Sequence, residues 1–162
     1  MNFKERHKIV HCFDSGVISA NEDIFNGDPQ GDVIDLSKWR ECTWYIIKNA
    51  GAVGTATITV LSCDDTTPTT TTAVAFEYRK VQDPDTHGAW TAATASGFTT
   101  DAEADVIYEV RITADGLYST DQYVTMNCAE SADGGVDGAI FAILTNPRYV
   151  DADPDTSGTS AP

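Results

Sequence analysis

In TATITVLSC (Thr55–Cys63), Ala56, Ile58 and Val60 fall on one side of an extended chain, and Thr55, Thr57 and Thr59 fall on the other. A helix would scatter these residues around its axis, whereas a strand has a period of two and sorts them. Threonine outside and β-branched residues inside is the pattern of a half-buried strand, and it commits this part of the chain to a sheet.

The same texture recurs along the chain. CTWYIIK (Cys42–Lys48), AVAFEYRKV (Ala73–Val81), DVIYEVRIT (Asp105–Thr113), QYVTMNCA (Gln122–Ala129) and AIFAILT (Ala139–Thr145) are all rich in β-branched and aromatic residues. In DVIYEVRIT, Val106, Tyr108, Val110 and Ile112 line one face. GAWTAAT, around Trp90, reads as a shorter strand. NAGAVG, between the strands ending at Lys48 and beginning at Thr55, has the length of a hairpin loop. No helical period of convincing length occurs, and Ala102–Ala104 offers one turn at most. Six or seven short strands with turn signals between them predict an all-β chain: a single antiparallel β-sandwich or jelly-roll-like domain.

The punctuation sets the expected boundaries. Residues 1–32 read as an extended N-terminal arm, because Asn, Asp, Gly and Pro cluster in SANEDIFNGDPQGD without a sustained period. Residues 33–149 read as the sandwich. Residues 150–162 read as a flexible acidic tail, since DADPDTSGTSAP has no large apolar side chain. TTPTTTT, six threonines around Pro68, reads as an exposed crown between two strands, opened by Asp64 and Asp65.

Charge narrows the function classes. Ten basic residues against 25 acidic ones give a net charge of −15 over 162 residues. Such a chain repels phosphate backbones, so no nucleic-acid partner is expected. No apolar run approaches the ~20 residues of a membrane span, so no membrane partner is expected either. The start, MNFKERHKIVHCFDSG, has no apolar stretch of the secretory type, and synthesis and folding in a host cytoplasm is the expectation. Cys12, Cys42, Cys63 and Cys128 are widely spaced, with no C-x-x-C pair. They read as free, partly buried thiols, with later oxidation of a pair left open.

Catalytic constellations are missing from the pattern. Only His7, His11 and His87 are present, with no G-x-S-x-G elbow, H-E-x-x-H pair or phosphate-binding glycine loop. His11 and Cys12 are adjacent, and adjacent residues on a strand face opposite ways. His7, His11 and Cys12 have ligand types suited to zinc but lack a fourth ligand, and DADPDTSG lacks the glycine and closing glutamate of a calcium loop. The expectation is therefore no enzyme, no metal and no cofactor. Trp39, Trp44 and Trp90, with Tyr45, Tyr78 and Tyr108, either fill the core or form a sugar-stacking platform. The core reading is the stronger, and a carbohydrate-binding or adhesion module remains the alternative.

TATITVLSCDDTTPTTTTAVAFEYRKV, followed by Trp90, by DVIYEVRIT and by a last apolar strand closing in NPRY, resembles the head-decoration (cement) proteins of tailed bacteriophages. The likeness covers Leu36 to Tyr149 and is one of texture. It implies a non-enzymatic structural protein of the virion, bound to the major capsid protein on the capsid exterior and stabilising the shell. It also implies a homo-oligomer, with a trimer as first choice and a dimer as second. Beside that resemblance, the arm is the expected attachment segment. Lys4, Arg6 and Lys8 would steer by charge, and Phe13, Ile24 and Phe25 would bury apolar area.

Overall fold

The computed structural model describes residues 6–12, 23–27, 30–49, 53–83, 86–132, 134–148 and 159–160. Among these, seven strands form one sheet: β1 (His7–His11), β3 (Trp39–Lys48), β6 (Phe76–Asp83), β7 (Thr86–His87), β8 (Thr91–Ala93), β10 (Val106–Thr113) and β12 (Gly138–Pro147). Six more form a second: β2 (Val33–Asp35), β4 (Thr55–Cys63), β5 (Thr72–Val74), β9 (Phe98–Thr99), β11 (Tyr123–Ala132) and β13 (Thr159–Ser160). The first sheet runs β1–β12–β3–β10–β6–β7, with β8 also against β6. The second runs β13–β2–β11–β4–β5, with β9 also against β4. Every pairing between these strands is antiparallel. The chain is a β-sandwich.

The expected alternation builds the core. Ala56, Ile58 and Val60 of β4 are buried, while Thr55, Thr57 and Thr59 are only half-buried. From the first sheet, Trp44, Ile46, Tyr108, Val110, Ala142 and Leu144 point inward; from the second, Ile34, Val124, Met126 and Cys128 meet them. Each buried Ile, Val or Leu contributes roughly 1.5–3 kcal/mol relative to exposure. A one-residue slip in register would turn that whole set to water, so the pairing is strongly specified.

Three expectations about chain path are corrected. NAGAVG does not close a hairpin: β3 and β4, on its two sides, belong to different sheets. Both strands have a buried face, and the two pack face to face, which loop length alone cannot reveal. AVAFEYRKV is two strands, not one. The chain leaves the second sheet after Val74, turns at the exposed Ala75 and enters the first at Phe76, so Val74 and Phe76 are both buried. A 3-10 turn lies at Ala114–Gly116, and Ala102–Ala104 forms no helical turn.

The sandwich also begins before Val33. β1 pairs with β12 from His7 opposite Thr145 to His11 opposite Phe141, and Val10 and Cys12 are core residues. Residues 23–32, where described, cross from one sheet to the other. The Ile24 amide donates to the Val136 carbonyl at 2.9 Å, and the Gly31 amide to the Met126 carbonyl at 2.7 Å. Between them Phe25 is fully buried. The five-residue strand HKIVH is too short and too polar to announce itself, and becomes a strand through the apolar partner β12. At the other end, Thr159 and Ser160 pair with Ile34 and Val33, so part of the expected tail re-enters the fold. Residues 149–158 and 161–162 lie outside the described residues.

The threonine crown is where it was expected, in residues 64–71 between β4 and β5. Its turn is opened by the Asp65 carboxylate, which accepts from the Thr67 amide at 2.8 Å.

Candidate functional site

β1 holds its two histidines apart and turns His11 away from Cys12. A strand separates His7 from His11 by roughly 13 Å, at ~3.3 Å per residue, so they do not form a chelating pair. His11 is exposed while Cys12 is buried, which separates that dyad as strand geometry requires. Among the described residues no group of three His, Cys, Asp or Glu side chains could hold a metal. All four cysteines are free and buried. Burial raises each thiol: Cys63 is pushed up to about 11, and Cys12, Cys42 and Cys128 are also raised well above the usual thiol range. These are packing residues.

The aromatic residues divide in the same way. Trp39, Trp44 and Tyr108 are in the core. Tyr78 stacks on Phe98 with ring centroids 3.8 Å apart, and Tyr45 stacks on Phe141 at 5.2 Å. Trp90 is half-buried, with the guanidinium of Arg79 4.6 Å from its ring centroid and that of Arg111 at 4.1 Å. Of the six residues of the would-be sugar platform, Trp39, Trp44, Tyr78 and Tyr108 turn into or against the core, and only Tyr45 and Trp90 lie on the outer side of the first sheet.

What the fold does assemble is a concentration of positive charge. Arg148 follows β12 directly, and Lys38 and Arg40 flank Trp39 at the start of β3. The Arg148 amide donates to the Lys38 carbonyl at 2.8 Å, and its Nε donates to the Trp39 carbonyl at 3.2 Å. On the other side of β12, β1 brings in Arg6 and Lys8, since His7 sits opposite Thr145 and Thr145 opposite Glu41. Neighbouring strands are ~4.8 Å apart, so Arg6 and Arg40 are about 10 Å apart across β12. Five of the ten basic residues thus occupy one corner of a chain whose net charge is −15. Arg6, Arg40 and Arg148 are exposed there, and Lys8 and Lys38 are half-buried.

A cleft of about 310 Å³ opens at the same end, between Leu36, Ala114 and Leu117 on its apolar side and Asp121 and Arg148 on its polar side. The Asp121 carboxylate accepts from the Ser62 hydroxyl at 2.6 Å, and that hydroxyl accepts from the Tyr118 amide at 3.3 Å. The cleft is thereby braced against the end of β4. The opposite end of the sandwich is acidic: Asp101, Glu103, Asp105 and Asp137 surround Lys48 and Lys80.

The expected contact residues separate under this geometry. Arg6 and Lys8 belong to the basic corner. Phe25 is withdrawn from any contact surface by its burial, and Ile24 packs against the core. Lys4 and Phe13 lie outside the described residues. Lys38, Arg40 and Arg148 were missed by the sequence reading, because Arg148 lies more than a hundred residues from the other two and only strand register brings it to them. Their one local signal is a position at a strand end: Lys38 just before β3, Arg40 in its first residues, and Arg148 just after β12.

No family model, no curated protein and no solved structure matches this chain.

Proposed function

We propose that this chain is a non-enzymatic docking protein of a phage head, a decoration protein that seats on the outer surface of the capsid through its basic corner. The observation that carries the reading is the gathering of Arg6, Lys8, Lys38, Arg40 and Arg148 at one corner of a −15 chain. A strongly acidic body approaching an acidic protein shell is repelled everywhere except at such a corner, which sets both its orientation and its rate of encounter. The two packed sheets supply a rigid body, and the threonine crown and acidic surface keep the remainder wettable. The texture shared with decoration proteins supports the capsid as the partner.

The test is to mix purified chain with undecorated capsids of the parent phage and to measure occupancy by electron microscopy. The expected result is saturable decoration by the wild type that weakens as salt rises. The double variant Arg40→Glu/Arg148→Glu should lose at least about tenfold in affinity, a change of ~1.4 kcal/mol. Equal occupancy by both forms would remove the corner from the mechanism. Occupancy by neither, together with a hit on a glycan array, would hand the function to a carbohydrate-binding module.

A further inference from the structure

The two outer faces of the sandwich differ in kind. On the second sheet most outward positions of β4, β9 and β11 are polar, among them Thr55, Thr57, Thr59, Thr99, Asn127 and Ser131. Thr57 Oγ1 lies 3.1 Å from Thr99 Oγ1 and 2.9 Å from Ser131 Oγ, a polar surface that satisfies itself. The first sheet is the opposite. Register brings Ile9, Ile143, Phe141, Tyr45, Ile47 and Ile107 together on its outward side, across β1, β12, β3 and β10. Tyr45 and Phe141 stack with their rings 13° from parallel, and Ile9 is 61 % exposed. An outward strand position facing only water has no reason to be isoleucine on four neighbouring strands.

The charges on this face are paired within it. Arg79 donates from Nε to Glu109 Oε2 at 2.7 Å, and Arg111 Nη2 lies 2.5 Å from Glu77 Oε2. Glu41 accepts from the Thr145 hydroxyl at 2.9 Å. Two guanidiniums against three carboxylates leave a face near neutrality on a chain of net charge −15. Trp90, held by both guanidiniums, stands at its rim, and Trp with Arg is the pairing that most often anchors an interface.

We infer that the outer face of the first sheet is the contact surface for a second copy of this chain, packed face to face about a two-fold axis. Charge selects the occupant. Two −15 chains repel one another except where the surface has been neutralised, and this face is such a surface on both copies. It is also self-complementary, because a two-fold axis sets apolar centre against apolar centre and paired-charge rim against paired-charge rim. Size agrees. The six strands β1, β12, β3, β10, β6 and β7 hold 43 residues, and at ~3.3 Å per residue and ~4.8 Å per strand they make a face of about 680 Å², within the ~600–1,000 Å² each partner buries in a stable dimer. The inference stands on a different face from the basic corner and does not depend on the capsid reading, and it favours the dimer over the trimer.

The test uses the whole chain in two measurements. Sedimentation over a wide concentration range should show monomer passing to dimer, with little weakening by salt, since apolar contact dominates. Ile9→Asp, at an exposed edge position, should raise the dissociation constant at least about tenfold. Thr59→Asp on the opposite sheet should not. Hydroxyl-radical footprinting of the wild type, which needs no variant to fold, should show Ile9 and Phe141 protected as the dimer forms, and Tyr118 unprotected. A chain that stays monomeric throughout, a trimer, or a dimer with Ile9 still fully reactive would each overturn the inference. So would assembly by Ile9→Asp at wild-type affinity.

Discussion

Lys48 donates from its ammonium to the main-chain carbonyl of Asp101 at 2.6 Å, tying the end of β3 to a loop 53 residues further along the chain. The same ammonium donates to the Gly54 carbonyl at 2.9 Å, so one buried cation fastens the β3–β4 connection to the loop leading into β10. Burial lowers the pKa of Lys48 below its usual range, and the two carbonyls provide its stabilisation. Lys48→Met relieves the desolvation of the amine but leaves both acceptors without their donor. An unsatisfied buried acceptor costs roughly 1–3 kcal/mol, so a net loss of about 2 kcal/mol is expected in urea denaturation. A change within ~0.5 kcal/mol, the range of an ordinary surface substitution, would mean that the tie contributes nothing.

Asp101 also carries an acid-sensitive contact. Its carboxylate accepts from Lys80 Nζ at 2.9 Å, and Lys80 pairs with Glu103 as well. The hydrogen bond from Lys80 holds the Asp101 carboxyl below the usual aspartate range. A carboxyl depressed by folding binds fewer protons in the folded state than in the unfolded one. Its contribution is therefore complete above the unfolded value and is lost as pH falls through the folded one. Wild type and Asp101→Asn should differ in melting temperature at pH 6, and that difference should shrink as pH falls below about 4. A difference independent of pH would show that the ion pair is not its origin.

Phe25 separates core from contact. It is fully buried between the sheets, so Phe25→Ala should destabilise the fold by about 3–5 kcal/mol. Any loss of docking by this variant should track the fraction unfolded, as read by thermal melts beside the binding assay. Stable folding with selective loss of binding would return Phe25 to the contact surface.

The four thiols should be silent in the native protein. Each is buried and raised by that burial, Cys63 to about 11. Because the thiolate is the reactive form, a disulfide reagent at pH 8 should label the folded chain slowly and label all four positions promptly in denaturant. Rapid labelling of one native thiol would reveal an opening that the packing does not suggest.

Gly97 should tolerate no side chain. Its φ is +77°, and a Cβ built there would lie 2.0 Å from the Ile58 carbonyl oxygen. Gly97→Ala therefore combines left-handed backbone strain of ~1 kcal/mol with an overlap that only displacement of β9 from β4 can relieve. A loss of at least ~2 kcal/mol is expected in chemical denaturation, larger than the strain alone. Stability at the wild-type level would show that this turn adapts freely.

Strand identity was legible because period two is a local property. Thr55–Val60 and Val106–Ile112 state which side chains turn inward without reference to anything else in the chain. The all-β class and the position of the crown follow from the same kind of local chemistry. HKIVH escaped because its strand character comes from β12, more than a hundred residues away.

By itself, then, the sequence determined that most of the chain would form strands, which residues of Thr55–Cys63 and Asp105–Thr113 would face the core, and that the surface would be acidic. Tertiary structure alone decided which strand lies beside which, and the two surfaces of interest depend on that choice. Arg6, Arg40 and Arg148 become one basic corner, and Ile9, Phe141, Tyr45 and Ile107 one apolar face, only through the order β1–β12–β3–β10. The physical reason is that side-chain alternation is set by backbone geometry within a few residues. Strand order is set by burying the inner faces of all the strands at once, a condition no local segment contains.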